Sequence, residues 1–220
     1  MQATKRAIQL RDPCGTIHEW FNQLRKHHFP FQSKTIPQNG IYILFQDGEA
    51  AHGTNRIVRV GTHTGDRQLR SRLRQHFVKE NKDRSIFRKN IGRCLLNAKR
   101  DAFLECWNFD LTSRASREKH QHKVDFARQK EIEQQVTKYL QSHFSFVVFE
   151  VPDKIARLKL ESRIISTVSL CDHCRPSPLW LGLSSPKQRI RESGLWLVNE
   201  LYKTPLSNND LASLQVLLKR

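Results

Sequence analysis

No run of about 18 apolar residues occurs anywhere in this 220-residue chain, so no membrane-spanning helix is expected. The opening Met1-Gln2-Ala3-Thr4-Lys5-Arg6 is followed by no apolar segment, which argues against a secretory signal. No internal repeat and no long low-complexity segment is present. Cysteines number five, an odd count in a chain of this size. That fits reduced thiols in the cytoplasm better than a disulfide framework. Acidic residues are the other scarcity: 21 Asp and Glu stand against 38 Lys and Arg, a formal net charge of +17 with a pI near 10.1. Such an imbalance points to a polyanionic partner, most commonly a nucleic acid. Charge alone does not distinguish DNA, RNA and an acidic membrane. The length suits one domain, or one domain with an extension.

What is present is organised around residues 40–77. Gly40-Ile41-Tyr42-Ile43-Leu44-Phe45 is apolar, β-branched and aromatic, and reads as a buried strand. Asp47-Gly48 supplies turn chemistry. Arg56-Ile57-Val58-Arg59-Val60-Gly61 reads as a second strand, so the pair forms a hairpin with a long loop. Leu69, Leu73 and Phe77 then recur every four residues, one stripe of a helix. Arg72 and His76 are also four apart and sit beside that stripe. The order strand, strand, helix brings Tyr42, Arg59, Arg72 and His76 towards one surface.

This stretch resembles the catalytic core of the GIY-YIG nuclease superfamily. Gly40-Ile41-Tyr42 is the first signature unaltered, and Arg59-Val60-Gly61 stands where the second has Tyr-Ile-Gly. Arg72 and His76 match the family's catalytic arginine and the polar residue one turn later. The chain is also similar to a bacterial branch of the superfamily in three further stretches. These are Val58-Arg59-Val60-Gly61-Thr62-His63, Ser85-Ile86-Phe87-Arg88, and Pro176-Ser177-Pro178-Leu179-Trp180-Leu181-Gly182 with Ser193-Gly194-Leu195-Trp196. Together they extend the resemblance over most of residues 38–200.

Before the core, Thr16 is expected to cap a helix over residues 17–27 that packs Ile17, Trp20, Phe21 and Leu24 on it, and residues 1–14 are expected to be irregular. After it, residues 66–100 hold twelve lysines and arginines against three acidic residues, an excess of nine. Arg70, Arg74, Lys79, Arg88 and Lys89 are candidates for a surface that tracks phosphates. The plainer alternative is a solvated face. A long helix is expected to begin near residue 112, with its stronger part over residues 130–143. Phe144-Ser145-Phe146-Val147-Val148-Phe149-Glu150-Val151 is a third strand. Helices are then expected over 155–170, over 190–203 with an interruption near Gly194, and over 211–218, with a rigid proline-rich connector around Trp180. The fold class is α+β: a small three-stranded sheet with an antiparallel hairpin, flanked by helices. Residues 1–37 form an N-terminal helical extension, 38–200 the nuclease-like domain, and 201–220 a helical tail packed on it. Cys171-Asp172-His173-Cys174 is a Cys-x-x-Cys, but structural zinc normally takes four ligands and no second pair is visible. Replacing both cysteines with serine is therefore expected to leave the fold intact.

The resemblance implies a phosphodiesterase site with a single divalent ion, Mg2+ or Mn2+. It places Glu161, on a helix after the third strand, as the metal ligand, Tyr42 at the attacking water, and Arg72 on the scissile phosphate. A surface ion pair of Glu161 with Arg157 or Lys159 is the bland alternative. His76 would orient water or phosphate, and His63 follows the second strand into the same cleft. Arg59 departs from the family's usual tyrosine. It stays protonated, so it cannot be a general base, although it can bind phosphate. The family's asparagine has no clean match; Asn199 is available only if the proline-rich connector folds back. The expected function is a metal-dependent DNA endonuclease. A binding module that kept the fold but lost cleavage, and an enzyme acting on RNA, are the alternatives. Restriction, anti-phage defence, repair and mobile-element roles all remain open, as does the oligomeric state.

Overall fold

The computed structural model describes residues 12–219. Expectations for residues 1–11, including the absence of a signal, lie outside the described residues. The first helix, α1 (Pro13–Gln23), starts earlier than expected because Asp12 is the cap. Its carboxylate accepts from the backbone N–H groups of Cys14 and Gly15, and Pro13 sits where a missing N–H costs nothing.

The sheet has four strands, not three. β1 (His27–His28), β2 (Gly40–Ala51), β3 (Thr54–Gly61) and β4 (Phe144–Glu150) lie in the order β1-β4-β2-β3, every neighbour antiparallel. β1 is two residues long, too short to show alternation, and it forms by pairing with Ser145 and Phe146 of β4. The chain before residue 38 therefore contributes a strand to the same sheet. The hairpin turns later than Asp47-Gly48. It turns at His52-Gly53, whose φ values of 51° and 72° give the left-handed twist that tight hairpins favour.

One irregularity in the hairpin sets the site. Leu44 pairs with Arg59, but Phe45 pairs with Ile57, so Val58 is an extra residue in β3. Strict alternation from Ile57 would send Arg59 to the α1 side of the sheet. The bulge turns it to the opposite face, with Tyr42.

Each face of the sheet covers its own core. On one side Ile41, Ile43, Phe45, Ile57, Val147 and Phe149 pack with α1, α7 (Lys154–Ser169) and α9 (Asn208–Leu218). On the other, Tyr42, Leu44, Val58 and Phe146 pack with α2 (Leu69–Phe77), α3 (Ile86–Ala98) and α6 (Phe126–His143). Trp180 and Trp196 close that second core, so the proline-rich connector folds back onto the sheet. The expected long helix from residue 112 is divided. α4 (Leu104–Asn108) and α5 (Arg114–His120) precede a break at which Asp125 caps α6 by accepting from Arg128 N–H. α8 (Gln188–Ser193) stops at the expected interruption, Gly194, with φ 66°, and no helix resumes before residue 203.

Part of the basic stretch is internal. Arg88 has no exposed surface; Nε and Nη2 donate to Glu133 Oε2 at 3.1 and 2.6 Å, and Nη1 donates to the His76 carbonyl. Lys89 is 7% exposed and donates to Asp83 and to the Phe109 carbonyl. Both had been expected on the phosphate-tracking surface; their charges instead tie α3 to its neighbours. Removing one partner of a buried pair leaves the other charge uncompensated. Glu133→Ala should therefore lower unfolding free energy by about 3–5 kcal/mol in urea titrations. A drop under about 1 kcal/mol would contradict this account of the pair.

Candidate active site

Tyr42 lies near the start of β2 and is fully buried. Its register partner is Gly61, and a Cβ there would fall 2.2 Å from the Tyr42 oxygen. The glycine of the second signature is thus required by the ring that lies across it. The Tyr42 hydroxyl is 2.8 Å from His76 Nε2, and His76 Nδ1 is 2.7 Å from Ser85 Oγ. Arg59 Nε donates to the Tyr42 oxygen at 3.4 Å. The His76 tautomer sets which partner donates in each of these two hydrogen bonds. Burial, and the charges of Arg59, Arg72 and Arg88, push the His76 pKa well below its ordinary value. His76 lies at the back of the site and does not reach solvent.

Arg59 is 4% exposed and has no carboxylate within salt-bridge distance among the described residues. Its charge is offset by the Tyr42 oxygen, by the Trp196 carbonyl that accepts from Nη1, and by the Phe87 ring 4.9 Å from Cζ. Its remaining nitrogen, Nη2, makes no hydrogen bond among the described residues.

Glu161 is half-buried on α7, the helix that packs on β2 and β3. The alternative, an ion pair with Arg157 or Lys159, does not form among the described residues. Arg157 is buried and donates to the carbonyls of Val151, Pro152 and His63, stitching the end of β4 to the loop after β3. Among the described residues Glu161 has no salt bridge. Burial pushes its pKa up to about 7, while the charge of Arg59, the Thr62 backbone N–H and the charge of Arg72 pull it back. The charges of both arginines therefore reach the carboxylate, although neither forms a salt bridge with it. Beside it lies a cleft of ≈ 250 Å³ lined by Thr62, His63, Gln68, Ser71, Arg72 and Gln75, among others.

His63 lines this cleft, but both ring nitrogens are engaged: Nδ1 faces the Gly65 carbonyl at 2.7 Å and Nε2 accepts from Gly40 N–H at 3.4 Å. Asn199 is exposed, one residue from Glu200, whose charge bears on Glu161 and whose carboxylate accepts from Ser162 on α7. Arg74 and Lys79 are exposed at the C-terminal end of α2. Arg70 is half-buried, with Nε donating to the Ile36 carbonyl. Sequence reasoning gave no role to Ser85, Thr62 or Trp196. Ser85 carries a local signal, since it also caps α3, but the Trp196 carbonyl comes from a distant segment and leaves none.

An antiparallel sheet whose central hairpin presents Tyr42 and Arg59 towards an arginine helix, with a carboxylate helix alongside, is the framework of a nuclease-type domain. A family model described as GIY-YIG domain matches residues 15–220, and the chain belongs to that family. Membership carries a nuclease-type function in general and a nucleic-acid substrate. No curated protein and no solved structure gives a significant match. Among the described residues no helix is long and apolar enough to cross a membrane.

The raised pKa of Glu161 has a measurable consequence. The folded chain holds this proton up to about pH 7, whereas an unfolded glutamate loses it near 4.5. The associated stability is present below the unfolded value and is lost as pH rises through the folded one. In chelator, the wild-type melting temperature should fall relative to that of Glu161→Gln between about pH 4.5 and about pH 8. Parallel pH profiles for the two proteins would refute the assignment.

Proposed function

We propose that this protein is a metal-dependent endonuclease that hydrolyses DNA phosphodiester bonds at the Glu161–Arg59–Arg72 site. The observation that carries the reading is Glu161: a half-buried carboxylate with no ion-pair partner among the described residues, within reach of the charges of Arg59 and Arg72 and of the backbone N–H of Thr62, which lines the cleft. A hard divalent cation, Mg2+ or Mn2+, prefers this kind of oxygen ligand, and its charge would offset the cost of keeping Glu161 ionised. Glu161 would hold one such ion. When bound there, the ion supplies Lewis-acid stabilisation of charge at phosphorus and water of lowered pKa.

The chain's own residues do the rest. Arg72, on the cleft wall, clamps the scissile phosphate through its planar fork. Arg59 holds Nη2 available for a second phosphate oxygen. Tyr42 fixes Arg59 Nε and is itself fixed by His76, so these two buried residues position the arginine rather than meeting water at the surface. His63 holds the start of β2 against the loop that carries Thr62. Arg74 and Lys79, with Arg70 behind them, extend the positive surface along α2 for the neighbouring phosphates.

A second reading is a nucleic-acid-binding module that retains the fold without cleavage. It is favoured by Arg59, which cannot accept a proton where the family's tyrosine would. Magnesium-dependent nicking of supercoiled plasmid separates the two. Glu161→Gln should abolish nicking while retaining DNA binding, and Arg72→Ala should lose both turnover and phosphate affinity. Full activity in the Glu161 variant would remove the metal assignment, and inactivity of the wild type on every DNA offered would favour the module. Competition between DNA and RNA tests the substrate class. A readout independent of cleavage is the pH midpoint of Glu161, which Mg2+ should shift downward in the wild type.

The binding surface has its own test. Arg74→Gln with Lys79→Gln should weaken binding to unrelated DNA sequences alike. It should also flatten the plot of log affinity against log salt by about 0.9 for each phosphate that is no longer neutralised. An unchanged slope in a folded variant would exclude these side chains from the interface.

A further inference from the structure

A second cluster of metal-ligating side chains lies on the α1 and α7 side of the sheet, opposite the face to which Tyr42 and Arg59 turn. Cys14 is in the first turn of α1, His52 is in the β2–β3 turn, and Cys171 and Cys174 flank the short helical turn after α7. The four ligand atoms all lie within 4.8 Å of one another. Cys14 Sγ is 3.5 Å from Cys174 Sγ, and His52 Nε2 is 3.3 Å from Cys171 Sγ and 3.7 Å from Cys174 Sγ. A tetrahedron with ligand bonds of about 2.3 Å has edges of about 3.8 Å, so these separations are those of a tetrahedral thiolate–imidazole site. They are far longer than the roughly 2.05 Å of a disulfide, and all five cysteines are free.

The surroundings fit the same geometry. His52 Nδ1 faces Asp12 Oδ2 at 3.5 Å, which turns Nε2 towards the sulfurs. A carboxylate behind the second nitrogen is the usual support of a metal-bound histidine. Gly15 leaves room for that pairing: a Cβ there would lie 2.9 Å from Asp12 Oδ2 and 3.2 Å from His52 Nδ1. His18, also nearby, is excluded as a ligand by its own bonds. Its Nδ1 faces the Cys14 carbonyl at 2.9 Å and its Nε2 accepts from Ile57 N–H at 3.2 Å. Cys14 and Cys174 are buried, while Cys171 and His52 are partly accessible, so an ion has a way in. The expectation that Cys171 and Cys174 lack further ligands was wrong because the other two come from segments far away in the sequence.

We propose that Cys14, His52, Cys171 and Cys174 form a structural zinc site of the Cys3His type. Bound zinc would join α1, the hairpin turn and the segment after α7. The hairpin carries Tyr42 and Arg59, and α7 carries Glu161, so the ion would clamp the two parts of the site together from behind. The inference stands on the cluster's own geometry and does not depend on the chain being a nuclease.

The test is metal content, not activity. The full chain, purified without chelator under reducing conditions, should contain one zinc per chain by elemental analysis. A mercurial reagent should release that zinc in step with thiol modification. Chelation should lower the melting temperature, and cobalt should replace zinc with the intense d–d absorption of a tetrahedral thiolate site. His52→Asn combined with Cys174→Ser should lose the zinc and the cobalt spectrum. Asparagine tolerates the left-handed backbone at position 52, so the turn should be preserved. If that variant fails to fold, the wild-type cobalt spectrum and mercurial titration still decide the matter. Wild-type chain that is metal-free and gives no tetrahedral cobalt spectrum after reduction would overturn the site. Zinc retained at full stoichiometry in the double variant would do so as well.

Discussion

Arg59 is a permanent cation placed almost wholly inside the protein, and the nuclease-like face is built around that constraint. A buried guanidinium needs partners for its donors and something to offset its charge. The bulge at Val58 turns it to the face where such partners exist. They come from three places: the Tyr42 hydroxyl on β2, the Trp196 carbonyl from the returning connector, and the Phe87 ring on α3. Each of these is held in turn. Tyr42 can lie across β3 only because Gly61 has no side chain, and Trp196 is fixed by its N–H donating to the Val58 carbonyl, within the bulge itself.

Glu161 completes the balance. The charges of Arg59 and Arg72 favour its ionised form, while desolvation opposes it. The proposed cation would tip that balance towards the ionised form. His76 contributes by remaining uncharged. Near the charges of Arg59, Arg72 and Arg88, it joins Tyr42 to Ser85 and adds no further positive charge to the interior.

The parts of the fold that were legible in sequence are those with enough length to show a period. β2, β3 and β4 are apolar runs, and the Leu69, Leu73 and Phe77 stripe of α2 is fully buried as its spacing required. β1 was not legible, because two residues have no pattern and its pairing is dictated by β4. Helix starts were misjudged where a capping side chain decided them, Asp12 and Asp125, whereas Gly194 did signal the end of α8. The resemblance to a nuclease family pointed to Tyr42, Arg72 and Glu161. It could not show that Tyr42 and His76 would be sealed behind Arg59, since a bulge changes facing without changing composition. Charge was the least reliable guide. The run around residues 66–100 reads as one basic face, yet Arg88, Lys89 and Lys82 turn inward, because a count of lysines and arginines carries no information about which have buried acceptors. The thiolate cluster was hidden for a related reason: half of its ligands lie in other elements.

The central claim is that Glu161 and Arg72 bracket a single cation and a phosphate. Anomalous scattering from manganese, in crystals grown with a non-cleavable phosphodiester, tests it most directly. The account predicts one manganese peak about 2.1 Å from a Glu161 carboxylate oxygen, with a phosphate on Arg72. Manganese bound elsewhere on this face, or a phosphate seated away from Arg72 with Glu161 unligated, would contradict it.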